Sequence, residues 1–158
     1  MALGTLGAAL EREHQQIDGG IDSFVTALER GEGNAMPLVQ AIAALRRHIY
    51  LEEQFLFPSL RAAGLMAPVF VMVREHGEIW KTLDELEGDV NATAVNGPAA
   101  VVTCRKLAGQ LEAHNTKEEQ ILYPQADRVM TPPASDELDA SIGSGKMPDG
   151  WVCAGARA

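Results

Sequence analysis

The chain has 158 residues, 46% of them hydrophobic, which is enough for one domain with a single core. Its 22 acidic and 13 basic side chains give a formal net charge of -9, so the surface should repel the phosphates of nucleic acids. No run approaches the roughly 18 consecutive apolar residues of a membrane span, and the N-terminus lacks the features of a signal peptide. We therefore expect a soluble, cytoplasmic protein that binds neither nucleic acid nor membranes.

Two amphipathic stretches in the first half of the chain have apolar residues at helical spacing. The first is expected to end near Gly31. The second begins at Pro37, a residue favoured in the first turn of a helix, and ends at Gly64. Their apolar positions are Leu3, Leu6, Leu10, Ile17, Ile21, Phe24 and Leu28, then Ala41, Leu45 and Phe55.

Two further stretches complete the pattern. The third begins near Pro68, and Asn96 and Pro98 precede the fourth. Their seam positions are Val69, Met72, Ile79, Trp80, Leu83 and Val90, then Val101, Cys104, Leu107, Leu111, Ile121 and Gln125. Without an alternating strand pattern, helices joined by short loops predict an all-α, up-down-up-down four-helix bundle over residues 1–130.

Residues 131–158 change in composition and are interpreted as a C-terminal tail. The segment is rich in Gly, Pro and Ser and has few apolar residues, so it is a candidate for mobility. Trp151 and Val152 are its candidates for docking onto the bundle. Cys104 lies on an apolar seam and is expected to be a buried structural thiol, whereas Cys153 has no predicted role.

An internal repeat is the most informative feature of the sequence. Residues 48–58 and 114–124 both read H-x-x-x-E-E-Q-x-L-[F/Y]-P, and residues 12–17 and 74–79 both read R-E-H-x-x-I. Each half of the chain therefore supplies one histidine from its first helix, then a histidine and a glutamate four residues apart from its second. Residues with that spacing lie on one helical face. The six repeated polar residues are His14, His48, Glu52, His76, His114 and Glu118.

All six residues lie on the apolar seams, which makes a metal centre the favoured interpretation. A carboxylate in a dry core costs several kcal/mol unless it is paired, and the same seams carry no Lys or Arg. Metal cations bind both carboxylate and imidazole and supply the missing positive charge. Four histidines and two carboxylates exceed the four ligands of one structural zinc and suit two metals. Nitrogen and oxygen donors favour iron or manganese, and iron is preferred.

These residues and motifs resemble the hemerythrin-like, or HHE cation-binding, family over about the first 130 residues. The resemblance implies two non-haem iron ions joined by an oxo or hydroxo bridge, with Mn or Zn less favoured, in which Glu52 and Glu118 bridge the ions. It places His14 and His48 on one iron, and His76 and His114 on the other. Oxygen-carrying hemerythrins have a further histidine where this chain has Trp80. The chain is therefore more similar to the di-iron proteins of nitrosative and oxidative stress.

Other side chains near the six have simpler interpretations. Trp80 is preferred as a core residue over a wall of the open coordination site. Phe57 and Tyr123 are expected to pack, and the Tyr123 hydroxyl is only an alternative candidate for the site. Pro58 and Pro124 each remove a helical hydrogen bond and should bend their helices. The four glutamates adjacent to the predicted ligands are expected on other helical faces, in solvent: Glu13, Glu53, Glu75 and Glu119.

Three functions remain open on the sequence. The first is binding of O₂, NO or a related small oxidant for sensing, transport or detoxification. The second is a di-iron enzyme that turns over peroxide or NO, or donates iron during iron-sulfur cluster repair. The third is a helical adaptor without a metal. Retention of iron separates the first two from the third, and multiple turnovers separate the enzyme from the binding protein.

Overall fold

The computed structural model describes residues 5–91 and 97–157, and within these ranges the chain is helical and contains no strand. This confirms the predicted all-α class. None of the helices in these ranges is long and apolar enough to cross a membrane. Leu3 and Asn96, which entered the prediction, lie outside the described residues. The elements are α1 (Thr5–Glu29), α2 (Met36–Leu51), the π-helix π1 (Glu52–Leu56), α3 (Phe57–Ala62), α4 (Met66–Asn91), α5 (Gly97–Lys117), the π-helix π2 (Glu118–Leu122), α6 (Tyr123–Val129), α7 (Pro132–Ser144) and a 3-10 helix (Ala154–Ala156).

The helix boundaries follow the glycines and prolines of the sequence. Gly31 and Gly64 have φ values of 75° and 93°, in the left-handed region that glycine adopts without steric cost. Pro37 lies in the first turn of α2. The second predicted helix corresponds to α2, π1 and α3 in succession, and the fourth to α5, π2 and α6. The third begins slightly earlier than expected, at Met66.

Four long helices pack around a shared interior. Helix α1 contacts α2 and α5, and α4 contacts the same two helices. The start of α1 lies beside α6, where the Asp127 carboxylate accepts hydrogen bonds from the backbone N–H groups of Leu6 and Gly7, both at 3.1 Å. An anion at a helix N-terminus is favoured by the helix dipole, so this contact holds α6 against the start of α1.

Two apolar clusters fill the interior and leave a polar layer between them. Along α1, Leu10 belongs to one cluster and Ile17 to the other, with His14 between them. Along α4, Met72 and Ile79 are divided in the same way. Burial of apolar surface in both clusters therefore stabilises the packing of the helices on either side of the polar layer.

The two π-helices change which residues face the interior. In π2 the backbone N–H of Tyr123 bonds the carbonyl of Glu118, five residues earlier. In a regular α-helix these residues would lie about 140° apart, whereas the wider π turn brings them to one side. Leu122 and Tyr123 are consequently buried, and the predicted seam residue Ile121 is 48% exposed. The seam prediction was wrong at Ile121 because it assumed a constant 3.6-residue period.

π1 likewise has a π turn where a regular helix would have an α turn. The Phe57 N–H bonds the carbonyl of Glu52, Phe57 is buried, and the predicted seam residue Phe55 is only half-buried. Pro58 and Pro124 lie in the first turns of α3 and α6, directly after the π-helices. The bends that we expected at these prolines stay a prediction.

The C-terminal residues pack on the bundle through helix α7 and the segment that follows it. Leu138 of α7 belongs to an apolar cluster, and the Thr131 side chain caps the helix by accepting a bond from the Ala134 N–H. Farther on, the Trp151 ring makes edge contacts with Tyr50 and Trp80, at 5.1 and 5.6 Å between centroids. The division of the chain at residue 130 stays a prediction.

Candidate metal centre

The six predicted ligands come from four stretches of the chain and are all buried. Helices α1, α2, α4 and α5 carry one histidine each, and the two glutamates are the first residues of π1 and π2. The two apolar clusters enclose them from either side. The residues concerned are His14, His48, Glu52, His76, His114 and Glu118.

These side chains form two groups that share both glutamates. Within each group, one possible donor atom per residue lies within 4.8 Å of every other. Donors bound to one ion at about 2.0–2.2 Å are separated by up to roughly 4.4 Å, so small movements would bring either group around a cation. The groups are His14, His48, Glu52 and Glu118, and Glu52, His76, His114 and Glu118.

Unpaired atoms in the polar layer test whether a metal fits there. Glu52 Oε1, His76 Nε2 and Glu118 Oε2 are buried without a hydrogen-bond partner among the described residues, although Glu52 Oε1 and His76 Nε2 are 3.3 Å apart. Both glutamates are 0% exposed, and none of the ion pairs in the described ranges joins either to a Lys or Arg. An unpaired buried polar group costs about 1–3 kcal/mol, and a cation bound by these donors would remove that cost. The two groups therefore fit a metal site.

Further glutamates contact the histidines from the side opposite the shared carboxylates. Glu13 Oε1 is 2.8 Å from His48 Nδ1, and Glu53 Oε2 is 2.7 Å from His76 Nδ1. A carboxylate accepts the Nδ1 proton in each pair, which leaves Nε2 as the atom that faces the polar layer. Each glutamate lies on the helical stretch before that of its histidine.

The second half of the chain repeats these contacts and closes them into a ring. Glu75 Oε1 is 2.9 Å from His114 Nδ1, and Glu119 Oε2 is 2.8 Å from His14 Nδ1. The contacts therefore pass from α1 to α2, to α4, to the fourth stretch and back to α1. We call these four pairs the carboxylate ring. Carboxylates in this position fix the tautomer and orientation of metal-binding imidazoles.

The ring corrects the expectation that its four glutamates lie in solvent. Adjacent residues do point about 100° apart on a helix, but that direction leads to the neighbouring helix rather than to water. The sequence signal was present in the repeat, which aligns Glu13 with Glu75 and Glu53 with Glu119. These four positions lie outside the apolar seams, so the seam pattern does not include them.

Charges within the layer hold the Glu52 carboxyl in the form that binds cations. Burial alone would raise the pKa of Glu52, but His48 and further hydrogen bonds keep this pKa well below its usual range. Burial alone would lower the pKa of His114, but the Glu118 carboxylate and other acceptors raise it to about 10. The layer therefore pairs charged carboxylates with imidazoles.

The hydroxyl of Tyr123 lies inside the first group. Its oxygen is 3.0 Å from His14 Nε2 and 3.1 Å from His48 Nε2, and it donates to Glu52 Oε2 at 2.8 Å. It also lies 3.4 Å from Glu118 Oε1. Burial, together with the Glu118 and Glu52 carboxylates, raises the pKa of Tyr123 well above its usual value. Tyr123 packs in an apolar cluster, as expected, and its hydroxyl also lies at the site, which was the alternative, because π2 turns its ring toward Glu118.

Phe57 occupies the corresponding place in the first copy of the repeat. Its ring stacks on His76 with 5.4 Å between centroids and 15° between planes, as Tyr123 stacks on His14 at 5.4 Å and 28°. The expectation that Phe57 packs is confirmed. Because phenylalanine has no hydroxyl, the two groups differ chemically at this one position.

Trp80 is a buried residue of α4. It belongs to an apolar cluster, its ring contacts Trp151, and the Arg46 guanidinium lies 5.0 Å from the ring centroid. The preferred interpretation of Trp80 as a core residue is confirmed. Cys104 is buried in the same cluster, as expected, and so is Cys153.

Fold and site together define a helical protein with paired histidine and glutamate groups, and comparison with known families agrees. The family model described as the hemerythrin HHE cation binding domain matches residues 5–126. The chain belongs to this family.

Among individual proteins, the chain is similar to two that carry the name iron-sulfur cluster repair protein YtfE. One is from Yersinia pestis (strain Pestoides F), and the other is from Yersinia pseudotuberculosis serotype O:1b (strain IP 31758). Identity to each is 32% over 105 residues, which cover 61% of this chain and 48% of the relative. The chain thus matches about half the length of these relatives. No solved structure gave a significant match.

Proposed function

We propose that this chain is a non-haem di-iron protein of the hemerythrin type that binds O₂, NO or a related small oxidant, for sensing, transport or detoxification. The observation that carries the proposal is the pair of fully buried glutamates shared by two pairs of histidines. In this arrangement Glu52 and Glu118 bridge two ions. The terminal ligands are His14 and His48 on one ion, and His76 and His114 on the other.

The donor set supports iron. It consists of imidazole nitrogens and carboxylate oxygens, and both cysteines belong to an apolar cluster rather than to either group. Donors of this kind suit iron or manganese better than a thiolate-bound or closed tetrahedral zinc site. Two ions sharing both carboxylates also give every glutamate oxygen a cationic partner.

Open coordination positions support binding of a small molecule. Each ion would receive two imidazoles and two carboxylate oxygens from the six residues, fewer than the six ligands that iron accepts in octahedral sites. Trp80, which stands where oxygen carriers have a further histidine, contacts Arg46 and Trp151 instead. A diatomic ligand or peroxide would bind at these open positions.

The finer topology belongs to the same proposal. We infer that α1, α2, α4 and α5 run up-down-up-down. The order of contacts in the carboxylate ring, and the Asp127 contact between α6 and the start of α1, support this arrangement. In this arrangement each metal takes its two histidines from one pair of adjacent helices, as the sequence repeat predicts.

A di-iron enzyme of oxidative or nitrosative stress is the second candidate. The observation that favours it is the similarity to proteins named for iron-sulfur cluster repair. In that case the centre turns over peroxide or NO, or gives up its iron to a damaged cluster. Because the match spans about half of those proteins, their whole activity is not transferred to this chain.

Loading with Fe(II) without oxygen tests the metal centre. We expect two iron ions per chain, and His114→Ala should weaken iron binding at least tenfold because it removes a ligand of one ion. The matched control is Glu112→Ala, an exposed residue of the same helix, which should bind iron as the wild type does. Failure of the wild type to retain stoichiometric iron would indicate a helical adaptor and sink the proposal.

Exposure of the loaded protein to O₂, NO and peroxide separates the two functions. Stable adducts that form and dissociate reversibly favour binding, whereas many turnovers of peroxide or NO favour the enzyme. Transfer of iron from the protein to a cluster-deficient acceptor supports a role in repair.

A further inference from the structure

We propose that the hydroxyl oxygen of Tyr123 is a ligand of the ion held by His14 and His48, and that the other ion has no such ligand. The inference rests on the proposed di-iron centre and concerns a residue outside the set of six. It makes the two metal positions inequivalent. Tyr123 is fully buried, with 0% of its surface exposed.

Distances place this hydroxyl among all four donors of the first group. Its oxygen is within 3.1 Å of both histidine Nε2 atoms and 2.8 Å from Glu52 Oε2. One possible donor atom from each of His14, His48, Glu52 and Glu118 lies within 4.8 Å of the others. A cation placed among them is therefore brought against the Tyr123 oxygen as well.

The backbone holds the hydroxyl in this place. The bond from the Tyr123 N–H to the Glu118 carbonyl belongs to π2, and the ring stacks on His14. Tyr123 thus lies one π turn beyond a shared carboxylate, on the same side of the helix. Its position is set by the same segment that supplies Glu118.

Phe57 shows that the feature is confined to one ion. It has the same position in the repeat and stacks on His76. The second group contains His76 Nε2 and Glu52 Oε1, which have no hydrogen-bond partner among the described residues, and no hydroxyl replaces one. The ion at this group keeps more open positions, so it is the one where a small oxidant would bind.

Coordination by Tyr123 is an ordinary acid–metal exchange. The O–H bond breaks, the oxygen forms a bond to the cation, and the proton is released to solvent. No electron is transferred, so no oxidant is required. Phenol oxygens are hard donors suited to ferric iron, and tyrosine is a known iron ligand in haem proteins.

Visible absorption of the ferric protein tests the proposal. The chain is loaded with two equivalents of Fe(II) and oxidised in air, and phenolate bound to Fe(III) gives a charge-transfer band in the visible region. We expect this band in the wild type and its loss in Tyr123→Phe. The chain has one other tyrosine, Tyr50, so Tyr50→Phe is the matched control and should keep the band. Moving the phenol with the double change Phe57→Tyr and Tyr123→Phe should restore it.

Iron content, measured on the same samples, separates this inference from the proposed function. Wild-type protein that binds two irons but shows no phenolate band overturns the role of Tyr123 and leaves the metal centre standing. The same conclusion follows if Tyr123→Phe keeps the band. Wild-type protein that binds no iron overturns both. Circular dichroism of each variant verifies that the helices are intact.

Discussion

Each histidine of the centre turns its two ring nitrogens toward different groups. Nδ1 bonds a glutamate of the carboxylate ring, and Nε2 faces the shared carboxylates, as in His114 with Glu75 at 2.9 Å and Glu118 at 3.1 Å. An imidazole held in this way binds a cation through Nε2 once the Nε2 proton has left, without first choosing a tautomer. The ring should therefore affect metal affinity although its members are not proposed as ligands.

Glu119 offers the clearest test of the ring. Its side chain is 29% exposed and contacts His14 at 2.8 Å, so its removal should disturb little else. We expect Glu119→Ala to weaken iron binding about 10- to 100-fold, since loss of such a partner frees the imidazole to turn. Glu119→Gln keeps an acceptor and should recover part of the affinity. Competition with a chelator measures both.

The control for this prediction is Glu112→Ala, which removes an exposed carboxylate of α5 that is not part of the carboxylate ring. Equal affinities for Glu119→Ala and Glu112→Ala would mean that only the overall charge matters. Thermal unfolding of metal-free Glu112→Ala should be nearly unchanged, whereas metal-free Glu119→Ala should lose roughly 1–3 kcal/mol, because the buried Nδ1 of His14 loses its partner.

The sequence predicted the six central residues for a physical reason. A polar residue on an apolar seam must have a partner, and six such residues repeated at fixed spacing indicate a shared one. The outer residues carry no such conflict. Glu53 and Glu119 look like ordinary solvated positions until the neighbouring helix is in place, so their role depends on tertiary packing.

At the scale of helices, the π turns decide which aromatic residue reaches the centre. A sequence read at 3.6 residues per turn places Ile121 inside and leaves the Tyr123 hydroxyl only an alternative candidate for the site. The structure reverses this, because a wider turn adds one residue between Glu118 and the next inward position. The signal in the sequence was the repeated proline after [F/Y], which cannot donate the hydrogen bond of a regular α-helix.

Helix α4 also depends on a close backbone approach that no periodicity reveals. Gly77 follows His76, and a Cβ added to it would lie 2.8 Å from the Gly155 Cα in the C-terminal segment. Next to this contact the Ala154 N–H donates to Glu53 Oε1 at 3.0 Å. The C-terminal segment is therefore packed against a member of the carboxylate ring.

We expect Gly77→Ala to displace the C-terminal segment. The added methyl meets backbone atoms rather than a flexible side chain, so the free energy of unfolding should fall by about 1–3 kcal/mol. Trp151, one of the two tryptophans, would lose its contacts with Tyr50 and Trp80. Its fluorescence should shift to the red, and the C-terminal residues should become easier to cleave by protease.

Gly88→Ala is the matched control on the same helix. Nothing lies within 4 Å of a Cβ at Gly88, so the change should raise the free energy of unfolding by up to about 1 kcal/mol through helix propensity. If both variants behaved alike, the contact between Gly77 and Gly155 would have no role in docking.

In the whole molecule, two apolar clusters lie on either side of a layer of histidines and glutamates. The all-α class and the order of the long helices along the chain were predictable, because four long amphipathic stretches leave few other ways to bury their seams. The docking of residues after Met130 was not, since few apolar residues in that segment indicate where it packs. The layer itself joins the halves of the bundle through Glu52 and Glu118, each of which belongs to both ligand groups.

Metal binding should therefore stabilise the entire fold rather than a local region. A ligand that binds only the folded state at 100 times its dissociation constant adds about 2.7 kcal/mol, which for a domain of this size corresponds to a rise of roughly 5–11 °C in Tm per ion. Calorimetry of the protein with and without Fe(II), in the absence of oxygen, measures this shift. The double variant Glu52→Gln and Glu118→Gln keeps the shape of both side chains but removes their charge, and its Tm should not respond to iron. A shift of equal size in this variant would locate the bound iron elsewhere, and an unchanged wild-type Tm would mean that the layer does not bind it.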